Sequence, residues 1–267
     1  MASKHTITYA DEIFIGRGFF APMVAEHGKS GIPIRGLTKV NFGAVETLDA
    51  DGIVSSATGA ELPNAETVTY TTADDGTSPF DNVATPAPAD VVMADGASYS
   101  VWTLDVARNV TAAVGHSSAV VAMTVLVTGF DQWGQRMSEL LTLTAGSTSK
   151  TAAGKKAFKH ILSISITAAT NAESNTGFNL GWGDVLGMPY RLDGASDVLS
   201  AFCDGTMELA SCTIVAADAT DPATTTTGDP RGTIDFNTAS NGTRVYAAWI
   251  HVADPNDTDG LRGVAQA

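Results

Sequence analysis

Apolar residues recur at every second position through much of the chain beyond Val101, and a period of two is the spacing of side chains along one face of a β-strand. Trp102, Leu104 and Val106 alternate with Thr103 and Asp105, and Leu162, Ile164 and Ile166 with Ser163, Ser165 and Thr167. Phe178, Leu180 and Trp182 alternate with Asn179 and Gly181, and Leu141 and Leu143 with Thr142 and Thr144. The denser Val-rich run from Val120 to Val127 predicts a central strand. After it, Gly129-Phe130-Asp131-Gln132-Trp133-Gly134-Gln135 predicts a hairpin turn. Weaker strand signals cover Thr67–Tyr70, Thr206–Ile214, Thr233–Phe236 and Val245–Val252. Helical patterning is confined to Ala152–His160 and Ala195–Ala201. Short strands separated by turn residues predict an all-β fold, an antiparallel β-sandwich or barrel core with long loops.

The chain divides into three stretches: an arm and loop-rich β region over 1–100, a β core over 101–192 and a C-terminal β extension over 193–267. Asp11–Gly36 shows no sustained period and sets Phe14, Phe19 and Phe20 among glycines, with Arg17 and Arg35 as scarce positive charges. Three phenylalanines suit an extended N-terminal arm buried on a neighbouring subunit, or a loop wrapped on its own domain. With 15 basic against 29 acidic residues the net charge is −14, and no basic cluster is large enough to neutralise several phosphates. Nucleic acid and an anionic membrane surface are therefore poor partners. No apolar stretch approaches the ~20 residues that span a bilayer, and Met1–Thr6 lacks an apolar signal core, so synthesis in a cytoplasm is expected.

Motifs that imitate active sites lack the context their chemistry requires. Gly115-His116-Ser117-Ser118-Ala119 looks like a nucleophile elbow, but a Val-rich strand follows where a helix is needed. Gly181-Trp182-Gly183-Asp184-Val185-Leu186-Gly187 resembles a dinucleotide loop, yet Met188-Pro189 stops any following helix, so a tight corner at a strand end is the reading. Asp254 and Asp257-Thr258-Asp259-Gly260 carry a fragment of a calcium loop without its bidentate Glu. His5, His27, His116, His160 and His251 stand singly, with no metal-ligand spacing. Cys203 and Cys212 are expected as free thiols. Lys150, Lys155, Lys156 and Lys159 gather positive charge that suits docking to an acidic surface or a solvated face. No cofactor, metal or catalytic residue is expected, and the chain reads as a non-enzyme.

Four phrases stand out as a set. They are Val127 to Gln135, Ala153-Gly154-Lys155-Lys156-Ala157-Phe158-Lys159, Gly181 to Leu192, and Asp229-Pro230-Arg231-Gly232-Thr233. Together they resemble a family of tailed-bacteriophage virion structural proteins, over roughly Val101–Ala267. That resemblance implies a particle component made in the host cytoplasm and located in the virion. By looser analogy it implies a capsid decoration (cement) protein, with the major capsid protein and further copies of itself as partners, most simply as a trimer. Phe14, Arg17, Phe19, Phe20, Arg35, Lys155, Lys156 and Lys159 are the candidate assembly interface. A tail or neck component and a carbohydrate-binding module using Trp102, Trp133, Trp182 and Trp249 remain alternatives, although Trp102 and Trp182 fall on apolar strand faces that suit a core.

Overall fold

A computed structural model describes residues 36–55, 67–74, 87–116, 120–147, 149–168, 175–218 and 228–252. Fourteen strands occur among them, and every pairing is antiparallel. β1 is Gly36–Ala44, β2 Asp49–Ser55, β3 Thr67–Thr71, β4 Ala89–Val92 and β5 Ser98–His116. β6 is Met123–Phe130, β7 Arg136–Leu143, β8 Lys150–Ala168 and β9 Asn175–Gly187. The remainder are β10 Val198–Cys203, β11 Thr206–Met207, β12 Thr213–Val215, β13 Thr233–Asp235 and β14 Val245–Val252. The fold is all-β, as the alternating pattern predicts.

Ten strands form one curled sheet with the path β12-β13-β9-β5-β8-β6-β7, to which β2, β3 and β4 add beside β9, β8 and β5. Its long members, β5 and β8, have 19 residues each. β8 meets β5 over Lys150–Ile161 and then carries β3 and β6 on its two sides, so one strand is shared between successive partners. Register shifts interrupt β5 between Thr103 and Arg108 and again at Val110. Such bulges sharpen the twist and bend the sheet. The alternating apolar residues fill the resulting interior: Trp102, Val125, Phe158, Ile161, Ile164, Ile166, Phe178, Leu180 and Trp182 belong to one buried cluster.

A second sheet, ordered β1-β14-β10-β11, brings the first described strand against the last. Its inner face (Val40, Val198, Ala201, Tyr246, Ala248, Ile250) packs with Leu186, Met188, Ile234 and Phe236 to form a separate core. The two sheets draw strands from all three stretches of the sequence.

Four local expectations are corrected. Ala152–His160 is not helical but the middle of β8, because its backbone pairs with β5. Ala195–Ala201 contributes one 3-10 turn, Ala195–Asp197, and then becomes β10. The central strand begins at Met123, while Val120 only bridges to Gly146. Gly181–Gly187 lies within β9 rather than at a corner. There the glycines admit neighbours: a Cβ on Gly181 would lie 1.9 Å from the Asp49 carbonyl oxygen, and one on Gly187 2.5 Å from Ala157 Cβ.

Candidate functional site: a buried polar clasp and the groove beside it

The hairpin joining β6 to β7 is closed by Asp131. Its Oδ1 accepts the backbone N–H groups of Trp133 at 2.6 Å and Gln135 at 3.0 Å, an Asx-type turn completed by Gly134 at φ +73°. Oδ2 of the same carboxylate receives Arg231 Nη1 at 2.7 Å, with both side chains at most 2% exposed. Arg231 Nη2 lies 3.6 Å from Asp229 Oδ1. Asp229 in turn accepts the Arg231 N–H at 2.9 Å and, through Oδ2, the Ala157 N–H at 3.0 Å. Complete burial raises the Asp229 pKa against the opposing pull of Arg231.

Around this pair the hairpin grips the segment that follows β9. Gln132 Nε2 donates to Met188 O and Trp133 Nε1 to Pro189 O, each at 2.8 Å. The ring of Trp133 meets that of Tyr190 at 6.4 Å. Met188 N and Leu192 N donate to Gly232 O and Arg231 O. The four distinctive phrases of the sequence thus converge on one clasp. Its groups are committed to holding strands, turn and loop together.

Two further buried ionic groups do comparable work. Arg108, fully buried, donates from Nε to Gly183 O at 2.7 Å and from Nη1 to Glu46 O at 3.1 Å. It also pairs with Asp105 and Asp184, each at 3.1 Å. Glu139 projects from β7 to accept the N–H groups of Lys155 at 2.5 Å and Lys156 at 3.2 Å. Burial pushes the Glu139 pKa up to about 7, against the opposing pull of those two N–H groups and of Lys156.

The lysine cluster does not form a single exposed patch, which corrects the expectation of a docking surface built from all three. Lys155 is exposed, Lys156 is wholly buried and Lys159 is half-buried. Lys159 Nζ donates to Leu104 O at 2.6 Å and Asp105 O at 2.9 Å, satisfying carbonyls in the part of β5 that pairs with neither β8 nor β9. Desolvation lowers the Lys159 pKa. Beside it, Thr103 Oγ1 shares a hydrogen bond with His160 Nδ1 at 2.9 Å. Burial, then the Lys159 charge, lowers the His160 pKa to about 4.

Between this unpaired part of β5 and the outer edge of β1 runs a groove of about 320 Å³. Phe42, Val106, Pro189 and Tyr190 give it apolar walls, and Lys39, Asn41, Asp105, Gln132 and Lys159 polar ones. The outer face of the small sheet also leaves large apolar side chains in solvent: Leu37, Leu199, Met207 and Trp249 are each between 38% and 58% exposed. Trp102 and Trp182 lie in the core as expected. The Trp182 indole donates to Thr47 O at 3.1 Å, whereas the Trp102 N–H is buried without a partner among the described residues. Cys203 and Cys212 are both free thiols.

Phe14, Arg17, Phe19, Phe20 and Arg35 lie outside the described residues, as does the acidic stretch 254–260. Among the described residues no three His, Cys, Asp or Glu side chains group as a metal set, and no helix is long and apolar enough to cross a membrane. The sequence displays Asp131, Asp229 and Arg231 within its distinctive phrases but does not show their mutual role. The signal available was the recurrence of isolated charged residues inside apolar, turn-rich phrases. Fold and clasp together define an all-β protein braced by internal ion pairs. No match to this chain is found among protein-family models, curated proteins or solved structures.

Proposed function

We propose that this chain is a structural component of a tailed-bacteriophage particle, a capsid decoration protein that binds the head shell and associates with copies of itself, most simply as a trimer. The observation that carries the reading is the division of labour among its side chains. Arg108, Asp131, Glu139, Asp229 and Arg231 are buried or nearly so and are spent on bracing the fold, while Leu37, Leu199, Met207 and Trp249 are left outward on the small sheet. Charged groups committed inward and apolar groups presented outward suit a part whose task is to adhere to neighbours. The acidic balance of the chain keeps free copies soluble and apart from packaged DNA.

Quantitative mass spectrometry of purified particles tests the assignment. Copies numbering in the hundreds, in fixed ratio to the major shell protein, are expected. About a dozen or fewer would place the chain in the neck or tail, and absence from particles would refute the reading altogether.

A further inference from the structure

We infer that the groove beside β1 is an acceptor site for an extended segment from the N-terminal stretch of a second copy of this chain, added as an extra strand along the free edge of β1. The inference holds whether or not the protein belongs to a virion. Among the described residues β1 is the end strand of its sheet and pairs on one side only, with β14. Alternate residues of this nine-residue strand therefore direct backbone donors and acceptors to an edge with no ladder partner among the described residues, the arrangement that invites strand addition.

The wall across the groove is equally unusual. β5 leaves its pairing with β8 after Thr103 and resumes it at Arg108, where pairing with β9 also begins. Two carbonyls of that gap, Leu104 O and Asp105 O, are satisfied by the Lys159 ammonium instead of by a strand. Lys39–Phe42 covers about 13 Å of edge at ~3.3 Å per residue. Phe42, Val106, Pro189 and Tyr190 along it offer contact for aromatic side chains.

The occupant follows from what precedes β1. Thirty-five residues lie upstream of Gly36, and their large apolar side chains include Phe14, Ile15, Phe19 and Phe20. A hairpin made directly by the residues before β1 would set about positions 25–33 along the edge, among them Glu26, His27, Gly28, Lys29 and Ser30. Phe14–Phe20 would then run past the far end of β1. Delivery of the phenylalanines to this groove is met most simply by another molecule, whose arm is exchanged at no cost in new sequence.

Two measurements on the full chain test this. Light scattering at micromolar concentration should show an oligomer for the natural sequence. It should show a monomer, with at least a tenfold weaker association and an unchanged β-sheet circular dichroism spectrum, for the triple variant Phe14→Ser, Phe19→Ser, Phe20→Ser. Separately, one preparation carrying Phe19→Cys is mixed with another carrying Asn41→Cys and oxidised. A covalent heterodimer linked between positions 19 and 41 is expected. A natural protein that is monomeric, a triple variant that still associates, or a 19–41 link that forms only within single chains of a variant carrying both cysteines would each overturn the proposal. A natural protein that is monomeric in solution yet present in hundreds of copies per particle would overturn the exchange and leave the particle assignment standing, so the two readings fail separately.

Discussion

Replacing Asp131 by Asn isolates the ionic contact at the centre of the clasp. The amide keeps Oδ1 for the Trp133 and Gln135 N–H groups, so the β6–β7 turn stays capped. It places an NH₂ where Oδ2 received Arg231 Nη1 at 2.7 Å, setting donor against donor. Stranding one partner of a buried pair costs ~3–5 kcal/mol. Asp229, 3.6 Å from Arg231 Nη2, retains part of the compensation, so the lower end, ~3 kcal/mol, is expected. At roughly 2–4 °C per kcal/mol for a chain of this size, the melting temperature should fall by about 6–12 °C. Thermal unfolding followed by circular dichroism, with urea midpoints as a cross-check, measures it. Adding Arg231→Met should cost less than the sum of the single changes, by ~1–3 kcal/mol, because both address one interaction. An Asp131→Asn loss below ~0.5 kcal/mol, or strict additivity, would show that the pair does not brace the fold.

Trp182→Ala should cost ~3–5 kcal/mol through the cavity it opens, and Trp182→Phe should cost more than Trp102→Phe, because only the Trp182 indole strands an acceptor, Thr47 O, when it is removed. Gly52→Ala should destabilise by ~1–3 kcal/mol, since its Cβ would sit 2.4 Å from the Trp182 ring; a neutral outcome in denaturant titration would contradict the packing. Glu139 has its folded pKa raised from about 4.5 to about 7, so its contribution is full below the unfolded value and is lost, by ~3 kcal/mol, as pH rises through 7. His160 is depressed from 6.5 to about 4, so its contribution is present above 6.5 and lost as pH falls through 4. The two slopes oppose each other near pH 5–6, and Glu139→Gln should flatten the loss of stability between pH 5 and 7, as melting temperatures from pH 4 to 8 would report. Reducing agent should leave the melting temperature unchanged, Cys203 and Cys212 being free thiols with pKa values raised by burial; a drop of several degrees would indicate a bridge.

Alternation along a strand is a local property, and where burial is one-sided it could be read directly. Val245–Val252 is β14 from end to end, and Trp102 and Trp182, which continue apolar alternations with Leu104 and with Phe178 and Leu180, are core. What escaped the sequence depends on partners far along the chain. Lys155, Lys156 and Lys159 at near-helical spacing are indistinguishable from a charged face until Glu139 and the Leu104 carbonyl are known to approach them. The glycines of β9 look like a turn because nothing nearby in sequence announces that Asp49 will press against Gly181. Asp131 and Arg231 are separated by 100 positions. The phrases containing them were visible, and their meeting was not.

The pairing of Gly36 with Val252 bears on how the chain acquires its shape during synthesis. At ~5–20 residues per second, the roughly 200 residues between these strands keep β1 waiting about 10–40 s for β14. Closing a loop of that length is also an entropic obstacle, which places this sheet among the slow steps of folding. Until β14 leaves the ribosome, both margins of β1 are bare, and crowded nascent chains on one message would be the first molecules able to mispair there. Expression at low temperature, which slows elongation, should lengthen that exposure rather than relieve it.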